Sequence, residues 1–139
     1  MLLTDLTQSL NRWFEQQAWI DQTAKPVQNA ANKIFQSGGV VGRKIANLLN
    51  GTWLGHPLHP VLTDIPIGAW MAAITLDSME ASSGRRGIGK AADAAVALGI
   101  AGAAGSAVTG IADWQHTTGE SRRTGFIHGA LNTLVLGLF

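Results

Sequence analysis

A chain of 139 residues has room for one compact domain, and only 14% of it is charged, against about 25% in a typical soluble domain. The net charge of +1 gives no basic face for nucleic acid, and the lack of cysteine excludes disulfides and iron–sulfur clusters. Polar residues concentrate near the N-terminus. We therefore expect an amphipathic helical segment over residues 1–50 and a transmembrane helical domain over residues 51–139.

The N-terminal segment predicts three short helices. Leucine and aromatic residues recur at helical spacing over residues 3–20. A second helix is predicted to begin at Pro26, which suits a first helical position, and to end at Gly38-Gly39. A third covers residues 41–49. These helices either lie on the membrane surface or fold over the membrane spans, and the sequence leaves both open.

Three apolar stretches follow, at residues 61–80, 94–112 and 125–139. In the first, we expect Thr63 to cap a helix whose first turn contains Pro66. Small residues recur every four positions in the second and third stretches, a spacing typical of closely packed transmembrane helices. The predicted fold class is all-α, an integral membrane helical bundle with three visible spans. A fourth is expected to be missing, because the chain stops within an apolar helix at Phe139.

The predicted location is the cell inner membrane, with several passes. Basic residues near the span ends number about four on one side and three on the other, which decides little. The N-terminus lacks a signal peptide, and this favours a cytoplasmic N-terminus.

Polar residues collect at one end of the predicted bundle. Because chain direction alternates between spans, the start of the first span, the end of the second and the start of the third lie on the same side. All four histidines fall there. The full predicted set is His56, His59, Asp64, Asp113, His116, His128 and Asn132.

Histidine, aspartate and asparagine suit either a haem with imidazole ligands or a non-haem metal ion. We assign His56, His59, His128 and Asn132 as candidate cofactor-binding residues, and Asp64, Asp113 and His116 as candidate metal ligands. Haem b is the expected form of haem. Two other interpretations stay open: a proton relay, and a purely structural polar network in which these side chains cap helix ends and bond neighbouring helices.

Two sequence blocks at the start of the predicted domain resemble a bacterial membrane family, domain of unknown function 2231. They are Gly-Thr-Trp-Leu-Gly-His-Pro-Leu-His-Pro at 51–60 and Thr-Asp-Ile-Pro-Ile-Gly-Ala-Trp at 63–70. The segments at 109–114 and 128–132 look like the family's second and third helices. The resemblance implies a four-helix membrane protein. Some relatives carry a Rieske domain, which this cysteine-free chain cannot hold, and that association favours electron transfer.

The working hypothesis is a small membrane subunit that uses the predicted polar set to hold haem or a metal for electron transfer. The alternative is a non-catalytic structural or anchoring subunit of a larger membrane complex. Under either hypothesis, the expected partners of the protein are the lipid membrane and other membrane subunits, and no nucleic acid. No nucleophile elbow, P-loop or dinucleotide fingerprint is present, so a role other than enzyme catalysis is favoured.

Overall fold

The computed structural model describes residues 7–9, 12–13 and 17–138. The all-α class is confirmed, since this part of the chain contains helices and no strand. Five helices follow one another: α1 (Ala18–Ser37), α2 (Gly39–Leu49), α3 (Leu58–Ser83), α4 (Ile88–Trp114) and α5 (Gly119–Leu136).

The first two helices differ from the sequence expectation mainly in where α1 begins. Half of the helix predicted over residues 3–20 falls outside the described residues, although 7–9, 12–13 and 18–20 are helical. The predicted start at Pro26 is wrong, because α1 begins at Ala18 and contains Pro26 as its ninth residue. Proline removes the donor to the Gln22 carbonyl, and Gln22 is exposed, so water can satisfy that oxygen.

Helices α3 and α4 form the most extensive interface of the protein. Ala69 and Ala73 of α3 are buried, as are Ala92 and Gly99 of α4. Small side chains on both helices allow their backbones to approach closely. The bundle is therefore built on a tightly packed antiparallel helix pair.

Helix α3 begins six residues before the start expected at Asp64. Thr63 does not cap it; its hydroxyl donates to the Pro60 carbonyl within the helix at 2.7 Å. Pro66 lies in the interior as the ninth residue and packs against Gly102 of α4. This contact helps the helix to accept a residue that its local propensity disfavours.

One helix in the described part of the chain, α4, is long and apolar enough to cross a membrane. Its 27 residues extend about 40 Å at about 1.5 Å per residue, against a hydrocarbon core of about 30 Å. Little of its apolar stretch is buried within the protein. Helix α3 carries Asp64 and Asp77 along its length, and the first turns of α5 are charged. The three-span count stays a prediction.

Helix α5 packs loosely. None of its residues is buried, and Leu131, Leu134 and Val135 are 57%, 66% and 45% exposed. The face of α3 away from α4 also exposes apolar side chains, among them Met71 and Ile74. Both surfaces are ones that a soluble protein would bury or make polar.

Candidate functional site

His59 lies in the first turn of α3 and is oriented by α4. Its Nδ1 is 2.8 Å from the carbonyl oxygen of Ser106. A carbonyl only accepts, so Nδ1 carries the hydrogen and the neutral ring keeps a lone pair on Nε2. A Cβ on Gly110 would come within 3.0 Å of the ring, so this glycine makes space for the imidazole.

The end of α4 places a carboxylate beside this ring. Asp113 is half-buried and interacts electrostatically with His59 and His116. When the Asn50 amide is oriented with its nitrogen toward these oxygens, it donates to Asp113 Oδ1 at 3.3 Å and to the Ala112 carbonyl at 3.1 Å. His116 lies beyond the end of the helix and is exposed. Asp113 is therefore near enough to two histidines to interact with their charge, and it accepts a hydrogen bond from one amide.

The third helix contributes His128, whose ring lies edge-on to His59 with centroids 6.2 Å apart and an interplanar angle of 88°. Asn132, one turn further along α5, donates from Nδ2 to the His128 carbonyl at 2.8 Å, and the same nitrogen is 3.3 Å from Nε2 of the ring. Both side chains are exposed. We call His59, Asp113, His116 and His128 the histidine cluster.

Besides Asn132, two members of the predicted set lie outside the histidine cluster. His56 precedes α3, is exposed, and has Nδ1 2.9 Å from the carbonyl of Pro57. Asp64 is exposed on α3. Across residues 7–9, 12–13 and 17–138, no group of three or more histidine, aspartate or glutamate side chains is placed to hold a metal ion.

A second polar contact, which the sequence analysis did not find, lies at the same end of the bundle. Gln28 of α1 is 7% exposed, and its Nε2 donates to the carbonyls of Trp114 at 3.0 Å and Thr117 at 2.9 Å. Asn32 donates to the Gln115 carbonyl at 3.3 Å. The last carbonyls of a helix lack partners within it. Helix α1 therefore supplies donors to the C-terminal end of α4 and the turn beyond it.

An ion pair continues this contact onto α5. Arg122 donates to Asp21 Oδ1 from Nε at 3.1 Å and from Nη2 at 2.8 Å, and Arg123 donates to Oδ2 at 3.0 Å. The hydrogen bonds from Arg122 are the largest cause that holds the pKa of Asp21 below its ordinary value of 3.8, although partial desolvation opposes them. We call these interactions of Asp21, Gln28 and Asn32 the α1 contact.

The turn from α4 to α5 is itself closely packed. Trp114 Nε1 donates to the Arg122 carbonyl at 2.8 Å, and its ring lies tilted against Phe126 with centroids 6.2 Å apart. A Cβ on Gly125 would clash with the Trp114 ring, so the glycine is needed for this approach. The α1 contact thus binds a turn that already has a defined shape.

These observations define a class: an all-α protein built on the α3–α4 pair, with one helix suited to a bilayer, apolar outer surfaces, and a histidine cluster at one end. Comparison with known protein families agrees with that class. The chain belongs to the family described as predicted membrane protein, domain of unknown function 2231, whose model matches residues 55–139. The resemblance found in the sequence is confirmed, and so is the membrane environment that it implies. Neither the curated proteins nor the solved structures contain a match.

Proposed function

We propose that the chain is a small, non-catalytic membrane subunit that assembles with other membrane proteins through α5. The observation that carries the proposal is that α5 buries none of its residues while it exposes Leu131, Leu134 and Val135. A helix in lipid gains most from close packing against a second helix. Its distal half also carries Gly129 and Thr133, and Gly137 follows the helix directly; small residues at this four-residue spacing suit a close helix crossing.

Photocrosslinking in native membranes tests this assignment. A photoreactive residue at Leu134, which is 66% exposed, is compared with one at Ile74 of α3, which is 63% exposed. We expect a discrete protein adduct from position 134, and lipid adducts alone from position 74. Lipid adducts alone at both positions would refute a role in assembly through α5.

Orientation is the second part of the proposal, and the α1 contact supports it. Because Asp21 binds Arg122 and Arg123, α1 lies on the same side as the turn after α4. Six basic residues then share that side, against three in and beyond the α3–α4 turn (Arg85, Arg86 and Lys90). The positive-inside tendency favours the larger group in the cytoplasm. The six are Lys25, Lys33, Arg43, Lys44, Arg122 and Arg123.

Single cysteines introduced into this cysteine-free chain test the orientation in intact cells. We expect a cysteine at Gln22 to resist a membrane-impermeant thiol reagent until the cells are opened, and a cysteine at Ser82 to react at once. The reverse pattern would place α1 outside the cytoplasm.

A second candidate function, binding of haem b or a metal ion for electron transfer, is favoured by the geometry of His59. A hydrogen bond from one imidazole nitrogen to a carbonyl is the usual arrangement of a metal-ligating histidine. Metal–nitrogen bonds of about 2.0–2.1 Å place two imidazoles on one ion with centroids about 5–6 Å apart, close to the 6.2 Å between His59 and His128. In this proposal His59 and His128 are the two ligands, since no group of three or more histidine, aspartate or glutamate side chains in the described ranges is placed to hold a metal ion.

Visible spectra of the oxidised and reduced protein, with metal analysis of the same sample, test the cofactor proposal. We expect a reducible Soret band or a stoichiometric metal that is lost in His59→Ala and His128→Ala. His56→Ala is the matched control, because His56 lies outside the cluster. A colourless, metal-free protein that retains its subunit partner would leave assembly through α5 as the function.

A further inference from the structure

Helices α1 and α2 have an apolar surface in addition to the one they bury. In α1, Ile20, Ala24, Gln28 and Ala31 face the protein. A neighbouring stripe of the same helix remains uncovered: Trp19, Val27 and Ile34 are 56%, 49% and 71% exposed. Helix α1 thus has two neighbouring stripes along its length. The rest of the protein covers the stripe that contains Ile20 and Ala24, and leaves the other exposed.

Helix α2 continues this surface. Val40, Val41, Ile45 and Leu48 are between 48% and 65% exposed. Gly42 packs against the Phe35 carbonyl of α1, where a Cβ would clash, so the two helices are held together. We call the exposed apolar side chains of both helices the outer face. It consists of Trp19, Val27, Ile34, Val40, Val41, Ile45 and Leu48.

Helices α1 and α2 lie at the level expected of a bilayer surface. The α1 contact joins α1 to residues 114–123, which come directly after the membrane-suited helix α4. A helix bonded to the end of a membrane span lies near the lipid headgroups. Amphipathic helices at that level bury their apolar face in the headgroup–acyl boundary.

The positive charge of α1 and α2 indicates which lipids they bind. Residues 18–49 contain Lys25, Lys33, Arg43 and Lys44, and Asp21 is their only carboxylate. Asp21 is already bound by Arg122 and Arg123. Within the described ranges, none of the four cations forms an ion pair. The surface is therefore apolar, basic and without internal neutralisation, the combination that recognises anionic lipid headgroups.

We infer that residues 18–49 form a docking surface for the anionic lipids of the bilayer, with the outer face immersed beside the headgroups. This goes beyond the proposed assembly through α5 and does not depend on it. The lipid surface holds the helix pair flat against the membrane, while the α1 contact fixes it to the end of α4.

Spin labels on single cysteines test the inference with the full chain in nanodiscs. Labels at Ile34→Cys and Ile45→Cys report the outer face, and labels at Gln36→Cys and Asn47→Cys report exposed polar positions on the same helices. In discs with anionic lipid, we expect oxygen to reach the labels at positions 34 and 45 several-fold more readily than a water-soluble nickel chelate does. The control labels should show the opposite preference.

Charge is tested by the double substitution Arg43→Gln/Lys44→Gln. A basic residue near an anionic surface strengthens association roughly fivefold, so the double variant should weaken immersion of the outer face by about 30-fold. Circular dichroism checks that helix content is unchanged. Equal immersion in purely zwitterionic discs would overturn the anionic-lipid inference. Equal access of the chelate to labels at positions 34 and 36 would also overturn the inference. Spin–spin broadening would overturn it as well, because it would show a second copy of the chain on the outer face.

Discussion

Replacing Gln28 with alanine tests the α1 contact directly. The side chain is 7% exposed and donates to two carbonyl oxygens, at 3.0 Å and 2.9 Å. Each hydrogen bond contributes about 1 kcal/mol, and the Trp114 carbonyl still accepts from the amide and hydroxyl of Thr117 after the substitution. We expect docking of α1 to weaken by about 2 kcal/mol. That corresponds to about 30-fold faster amide exchange along α1, if exchange occurs through local undocking.

Two further variants separate hydrogen bonding from packing. Gln28→Met keeps a side chain of similar length without the donor, so it should lose most of the same protection. Gln22→Ala changes an exposed glutamine of the same helix and should leave exchange unchanged. The measurement is hydrogen–deuterium exchange followed by mass spectrometry in detergent or nanodiscs. Full protection in Gln28→Met would show that the two hydrogen bonds do not hold α1, and would refute the reasoning.

Three other predictions concern the ion pair and the glycines. The hydrogen bonds from Arg122 lower the folded-state pKa of Asp21, so its stabilisation is present above its ordinary pKa of 3.8 and is lost as the pH falls through the lowered value; Tm should therefore fall with acidification less steeply in Asp21→Asn than in the wild type. Gly102→Ala should lower the free energy of unfolding by about 1–3 kcal/mol, because its Cβ would lie 2.7 Å from Ile65 of α3. Gly68→Ala has open space around its Cβ, so it should leave the free energy of unfolding unchanged or raise it by up to about 1 kcal/mol through helix propensity. Chemical denaturation of both variants measures the difference. Gly84→Ala should cost about 1–2 kcal/mol by the same measurement, because this residue ends α3 with φ of 64°.

Apolar periodicity predicted the existence of most helices but placed their starts too late. Helix α1 begins eight residues before its predicted start, and α3, α4 and α5 each begin six residues before theirs. Two of these errors involve proline, since Pro26 and Pro66 were expected at or near helix starts and each lies ninth in its helix. Local propensity disfavours interior proline, but Pro66 packs against Gly102 of another helix. That approach depends on three-dimensional packing, which sequence spacing does not contain.

Part of the candidate site could be predicted from the sequence and part could not. Alternating chain direction was enough to bring His59, Asp113 and His128 to one end, because that argument needs only the order of helices. It could not predict the α1 contact. Gln28 and Asp21 pair with residues 86 and 101 positions away, and an amphipathic helix carries many polar side chains that simply face water. Nothing local distinguishes these two.

Residues Asp21, Gln28 and Asn32 of the α1 contact are synthesised well before the residues that they bind. Gln28 leaves the ribosome 86 residues ahead of Trp114, so residues 18–37 are synthesised before α3 and α4. Until residues 114–123 emerge, Asp21 and Gln28 have no residues to bind. Helix α1 is thus synthesised before α3, α4 and α5 but reaches its final position only after they are made.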